Sequence, residues 1–179
     1  MVIRRKDYES KTISCMYFIN YSTEYMRMWK NGHDVFYEWG GQKIADETFK
    51  ELIEAVEAED SETIKGMFAE DALSQIDDID SEINAFIDFY QGNMESWDDW
   101  GGASLETCSG GEKGYYQRIL GYYIVKTTES DYRVKFTLNV STPDKSHEGI
   151  YKIGIITEES FEENSEKFGS DVPGLYIVE

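Results

Sequence analysis

Between residues 46 and 92 apolar side chains recur every three to four positions, and from residue 94 onward they recur every second one. Phe49, Leu52, Ile53 and Val56 obey the i, i+3, i+4, i+7 rule and predict an amphipathic helix over 46–56. Asp46 is placed to cap it, and Glu47, Glu51 and Glu54 fall on the opposite, watered side. A second helix over 61–68, capped near Asp60 or Ser61, turns Ile64, Met67 and Phe68 inward, and the short break at Glu59-Asp60 folds the two as a hairpin. A third over 81–92 puts Ile83, Phe86, Ile87 and Tyr90 on one face, with Gly92 offered as a left-handed stop.

The change of period marks the start of sheet. Met94-Glu95-Ser96-Trp97 reads as a short strand, and the Gly- and Ser-rich stretch 101–114 as an exposed loop. Tyr115–Thr128 is a long strand, apolar on both alternating sets for much of its length. The cleanest alternation follows: Tyr132, Val134, Phe136, Leu138 and Val140 face one way, Arg133, Lys135, Thr137 and Asn139 the other. A further strand runs from about Gly149 to Thr157. Residues 158–167 form an acidic helical turn or loop, and Leu175–Val178 closes the sheet. The class is α+β, with three N-terminal helices followed by a long antiparallel sheet.

Residues 1–42 differ in character, being crowded with aromatics and far less acidic. Phe18, Tyr21, Tyr25 and Met28 recur at helical spacing, Asn31-Gly32 would stop such a helix, and Gly40-Gly41 makes a loose junction to a domain over 43–179. This extension is read either as a helix packed over the domain or as a leader from an upstream start codon.

Composition narrows the function classes. A chain of 179 residues holds one domain plus an extension, and 40% hydrophobic with 15% aromatic residues fits a packed core. The net charge of −19 argues against binding nucleic acid or an anionic membrane and would suit a cationic partner, although solvation alone explains most charge runs. Cys15 and Cys108, with no CxxC spacing, are two reduced thiols or one disulfide; separation in sequence does not decide. His33 and His147 lie in polar turns with solvated or capping roles. No metal or cofactor motif follows: the acidic run at 77–80 lacks the glycine and distal glutamate of a calcium loop, and Gly110–Gly114 lacks the phosphate-loop spacing. Nothing approaches the ~20 apolar residues of a membrane span. Arg4-Arg5-Lys6 resembles a basic leader start, but Asp7, Glu9 and Lys11 interrupt it and no lipobox precedes Cys15. The expectation is a cytoplasmic protein as written, or an extracytoplasmic lipoprotein if the true start lies elsewhere.

Several stretches carry a resemblance: Ile64-Lys-Gly-Met-Phe68 with Ala72-Leu73, Phe86-Ile-Asp-Phe-Tyr-Gln-Gly92, Ser96-Trp-Asp-Asp-Trp-Gly-Gly102, Gly149-Ile-Tyr151 and Pro173-Gly-Leu-Tyr-Ile177. Over roughly 44–178 the chain resembles the bacterial domain of unknown function 5104, whose members are often small lipoproteins. Its element order is that of the cystatin-like, nuclear transport factor two-like cone. The resemblance implies a strongly curved antiparallel sheet wrapped around the three helices with a pocket between them. It brings no activity and no catalytic residues.

The functional expectation is a non-catalytic binding domain whose pocket or outer sheet face holds a small molecule, peptide or protein. Tyr90, Trp97, Tyr116, Tyr122 and Tyr123 are the candidate lining, and each is equally an ordinary core aromatic. Apolar residues on both faces of 115–126 suggest that the outer face is covered, as in a homodimer. One alternative is an acidic immunity-type protein neutralising a basic toxin, by fold analogy and charge. Another is an isomerase- or dehydratase-like enzyme with a pocket carboxylate. For that role Asp88 points well away from the apolar stripe at ~100° per residue, and at most one of Asp98 and Asp99 can enter a pocket. No catalytic residue is assigned.

Overall fold

The computed structural model describes residues 15–16, 34–109, 115–165, 168 and 172–178. Among the described residues four helices, rather than three, lie ahead of residue 94: α1 (Asp34–Glu57), α2 (Ser61–Gly66), the single turn α3 (Glu70–Leu73) and α4 (Ile79–Phe89). The buried stripe of Phe49, Leu52, Ile53 and Val56 is as the periodicity requires. The helix nonetheless begins twelve residues before Asp46, and Gly40 and Gly41, expected as a loose junction, lie inside it. Asp46 therefore caps nothing. Its carboxylate accepts hydrogen bonds from Gln42 Nε2 (2.7 Å) and Tyr123 Oη (2.9 Å), so side chains hold it mid-helix.

The other caps act as their residue types dictate. Asp60 accepts from Thr63 N at 3.0 Å to start α2, and Asp78 accepts from Ser81 N at 3.1 Å to start α4. The acidic run at 77–80 is thus a capping turn. Gly92 does adopt a left-handed φ of +84°, but beyond the extended Tyr90, in the turn into the first long strand pair.

The strands are β1 (Cys15–Met16), β2 (Met94–Asp99), β3 (Ser104–Ser109), β4 (Tyr115–Thr127), β5 (Asp131–Ser141), β6 (Gly149–Thr157) and β7 (Gly174–Val178), with the helix α5 (Glu158–Asn164) between the last two. They form one sheet in the order β1-β3-β4-β5-β6-β7, and β2 lies beside the far half of β4. Two expectations are corrected. First, β3 occupies part of the stretch read as a loop; Leu105, half-buried against the core, is its one large apolar anchor, too little to register as a period. Second, the sheet is mixed, because β7 runs parallel to β6. A parallel neighbour needs a long crossover, and residues 158–173, including α5, provide it. The register sets Cys15 opposite Cys108 in the backbone pairing of β1 and β3.

One face of the sheet packs on the helices. Tyr132, Val134, Phe136 and Leu138 of β5 point there, as their alternation predicts, and join Phe49, Ile64, Ile83, Phe86 and Ile153 in a single core. Phe49 stacks on Tyr123 with ring centroids 4.1 Å apart. The helices are also fastened through the backbone: Ala69 N donates to Ile150 O at 2.9 Å, and Ile150 N to Met67 O at 2.8 Å. This close approach needs Gly149, whose φ is +128° and where a Cβ would sit 2.7 Å from Ala69 N. Among the described residues, no helix is long and apolar enough to cross a membrane.

Candidate functional site

Strand alternation determines what the outer face carries. Residues paired across strands share a face, so one row runs Tyr122, Lys135, Gly154, Tyr176 across β4 to β7. The adjoining row contains Leu120, Thr137 and Lys152, and the next brings Arg118 opposite Glu106 of β3. At Gly154 the row has no side chain. That gap opens a basin of about 230 Å³, walled by Phe168 beyond α5 and by Tyr122, Lys135, Lys152 and Tyr176. A Cβ at Gly154 would meet Phe168 Cε2 at 3.2 Å and Lys135 Cε at 3.3 Å, so any larger residue there intrudes on the space.

The walls are held in place. Tyr176 Oη donates to Val172 O at 2.9 Å and to Pro173 O at 3.0 Å. Arg118 Nε donates to Asn139 Oδ1 at 3.2 Å, and its guanidinium lies 4.0 Å from Glu106, only 16% of whose side chain is exposed. Lys135 Nζ stands 4.3 Å over the ring of Phe168 and has no carboxylate partner among the described residues. Burial, reinforced by the charge of Lys152, pushes its ammonium down to about 8. Burial also raises the Tyr122 phenol, with Glu106 adding to the shift.

Beside the basin, a clamp ties α5 to the sheet. Arg133 makes two bonds to Glu158, 2.6 and 2.7 Å long, and its guanidinium sits in the corner formed by the perpendicular rings of Trp100 and Phe161, at 4.0 and 3.9 Å from their centres. Behind it Ile156, Phe168 and Val178 form a small second apolar cluster.

The five aromatic candidates are divided by the sheet. Tyr123 is 0% exposed and locked between Phe49 and Asp46, and the buried Tyr90 donates to Glu57 at 3.2 Å and stacks on Tyr132. Trp97 packs edge-on against Tyr123 at 5.7 Å and stands under Lys50. These three belong to the layer between helices and sheet. Tyr122 lines the outer basin, and Tyr116 stands near Arg118 on the same face. Of the carboxylates considered, Asp88 and Asp98 are exposed. Asp99 is half-buried, its carboxyl raised by burial and by the charges of Asp98 and Asp46.

Reasoning from aromatic type missed Lys135, Lys152, Arg118 and Gly154. The signal was present in the polar half of the alternation in 132–140, where Arg133 and Lys135 set cations on one face of a chain with 17 basic and 36 acidic residues. Such a basin can seat a small molecule, with charged groups and rings side by side around it. No group of three or more His, Cys, Asp or Glu side chains suited to a metal occurs among the described residues.

The family described as Domain of unknown function (DUF5104) matches residues 51–158, the span from the middle of α1 to the start of α5. Among the curated proteins none matches the chain.

Proposed function

The chain belongs to the DUF5104 family, and on that premise we propose that it is a non-catalytic binding domain whose outer sheet face receives a small molecule. The observation that carries this reading is the basin over Gly154, with Lys135, Tyr122 and Tyr176 around one missing side chain. We also read the architecture as a cystatin-like, nuclear transport factor two-like cone. The packing of α1, α2 and α4 on one face supports this, as do register shifts in the β2–β4, β4–β5 and β5–β6 pairs, since bulges bend and twist a sheet. Native mass spectrometry of the chain purified from its source cells tests the binding reading. A bound small molecule is expected, and Gly154→Leu, which fills the basin, should lose it; Tyr122→Ala provides a second variant of the same wall. A ligand-free chain, or a ligand kept equally by both variants, overturns it.

A second reading has its own support. Glu47, Glu51 and Glu54 are exposed along one face of α1 in a chain of charge −19, which favours an immunity-type protein with a basic toxin as partner. A pull-down retrieving one basic protein in a salt-sensitive complex, with the basin variants unaffected, would favour it over the first.

A further inference from the structure

We infer that the basin selects a small aromatic carboxylate, with Lys135 and Lys152 receiving the acid and Phe168, Tyr122 and Tyr176 receiving the ring. The inference rests on the binding reading above and names the class of ligand. Charge is the first argument. Acidic residues outnumber basic ones 36 to 17 in the chain, yet among the described residues the basin walls carry three cations, Arg118, Lys135 and Lys152, and one carboxylate, Glu106. Glu106 is opposed by Arg118 at 4.0 Å, on the β3 side of the basin. Lys135 stands in a half-buried recess over the Phe168 ring, where burial and the charge of Lys152 disfavour its ammonium. A carboxylate placed beside Lys135 offsets that penalty and accepts a charge-assisted hydrogen bond from it.

Shape is the second argument. A volume of about 230 Å³ lies below the ~300 Å³ at which sites for drug-sized ligands begin, so the group seated in the basin has about a dozen heavy atoms. Gly154 gives a flat floor between Lys135 and Tyr176 in the same row, and the Phe168 ring closes over the Lys135 end. A ring lying on that floor meets aromatic surface, while its acid group reaches the lysines.

Calorimetric titration of the full chain with 2-naphthoate and with its neutral counterpart 2-naphthamide tests the inference. At low salt the carboxylate should bind about tenfold more tightly than the amide, the worth of a charge-assisted bond in a partly buried site. In Lys135→Gln/Lys152→Gln that ratio should fall toward one while the amide binds as before. If the double variant does not fold, the wild-type chain still decides: added sodium chloride should weaken the carboxylate and leave the amide unchanged. Equal affinities for both probes overturn the anion assignment and leave the binding reading standing. Binding of neither probe, in a chain that also carries no copurified ligand, overturns both.

Discussion

Tyr122 and Tyr123 are neighbours in β4 and have opposite fates. Tyr123 is 0% exposed, stacked on Phe49 and bonded to Asp46; Tyr122 stands half-buried at the edge of a basin with lysines across from it. The inner face of the sheet is filled by apolar and aromatic groups whose few polar atoms are paired. The outer face joins a small cluster around Ile156 to a gap at Gly154 ringed by cations. One face makes the fold and the other is free to carry chemistry. Residue type alone does not distinguish them, since both sides of β4 are rich in aromatics.

The largest test of that division compares the two tyrosines. Tyr123→Ala should cost about 3–5 kcal/mol, as expected for removing a buried aromatic from a core that cannot collapse around the gap. Tyr122→Ala should cost less than about 1.5 kcal/mol, because water already reaches its side of the sheet. Urea denaturation monitored by tryptophan fluorescence reads both, and equal losses would break the distinction between the faces. Next in size is Gly149→Ala, at about 2–3 kcal/mol from the left-handed φ and the clash with Ala69. It acts where the helices are fastened to the sheet, so it should weaken the inner layer while leaving Tyr122 and its neighbours in place.

On the outer side, Arg133→Ala removes the clamp on α5 and should cost about 1–2 kcal/mol, combining a charge-assisted pair with cation–π contact to two rings. The effect should be local. Amide exchange is expected to rise over Glu158–Asn164 and remain slow in β5. The bond to Arg133 holds the Glu158 carboxyl below its ordinary value. That contribution is therefore full above about pH 4.5 and is lost as pH falls through the lowered value. Uniform faster exchange across the sheet would show that the clamp supports the core as well.

Much of the inner half was legible in advance because burial of one face imposes a strict period. Tyr132 to Leu138 alternate for that reason, and Asp60 and Asp78 precede their helices because unpaired N–H groups need an acceptor. Strand direction was not legible: whether Gly174–Val178 pairs parallel or antiparallel depends on where residues 158–173 lead the chain. Nor was the reach of α1, since Gly40-Gly41 weakens a helix locally and yet does not end this one. The outer site was hidden for a different reason. Its floor is an absent side chain at Gly154, and its charges come from three strands that only the register brings together. Aromatic residues announced themselves by type, and three of the five candidates belong to the core layer.

The smallest effect is the most diagnostic of the outer face. Lys135 sits near 8 because burial and Lys152 disfavour its charge. The other ionisable groups facing it among the described residues are Glu106 from β3, Arg118 and Tyr122 from β4, Lys152 from β6 and Tyr176 from β7. Between pH 7 and about pH 9.5, carboxylates and guanidinium groups keep their charge, and burial holds the Tyr122 phenol neutral. Lys135 is the side chain brought into this window. Affinity for 2-naphthoate should therefore fall about three- to tenfold from pH 7 to about pH 9.5, the worth of one partly exposed ion pair, while 2-naphthamide stays level. Lys135→Gln should abolish the fall. Stability without ligand should move the other way. The unfolded chain keeps the proton of Lys135 until about 10.5 and the folded chain releases it near 8, so wild type gains on Lys135→Gln as pH rises between those values. Saturating 2-naphthoate favours the charged lysine, raises its folded value and shrinks that gain. A lysine remote from the ligand would show the gain with or without it.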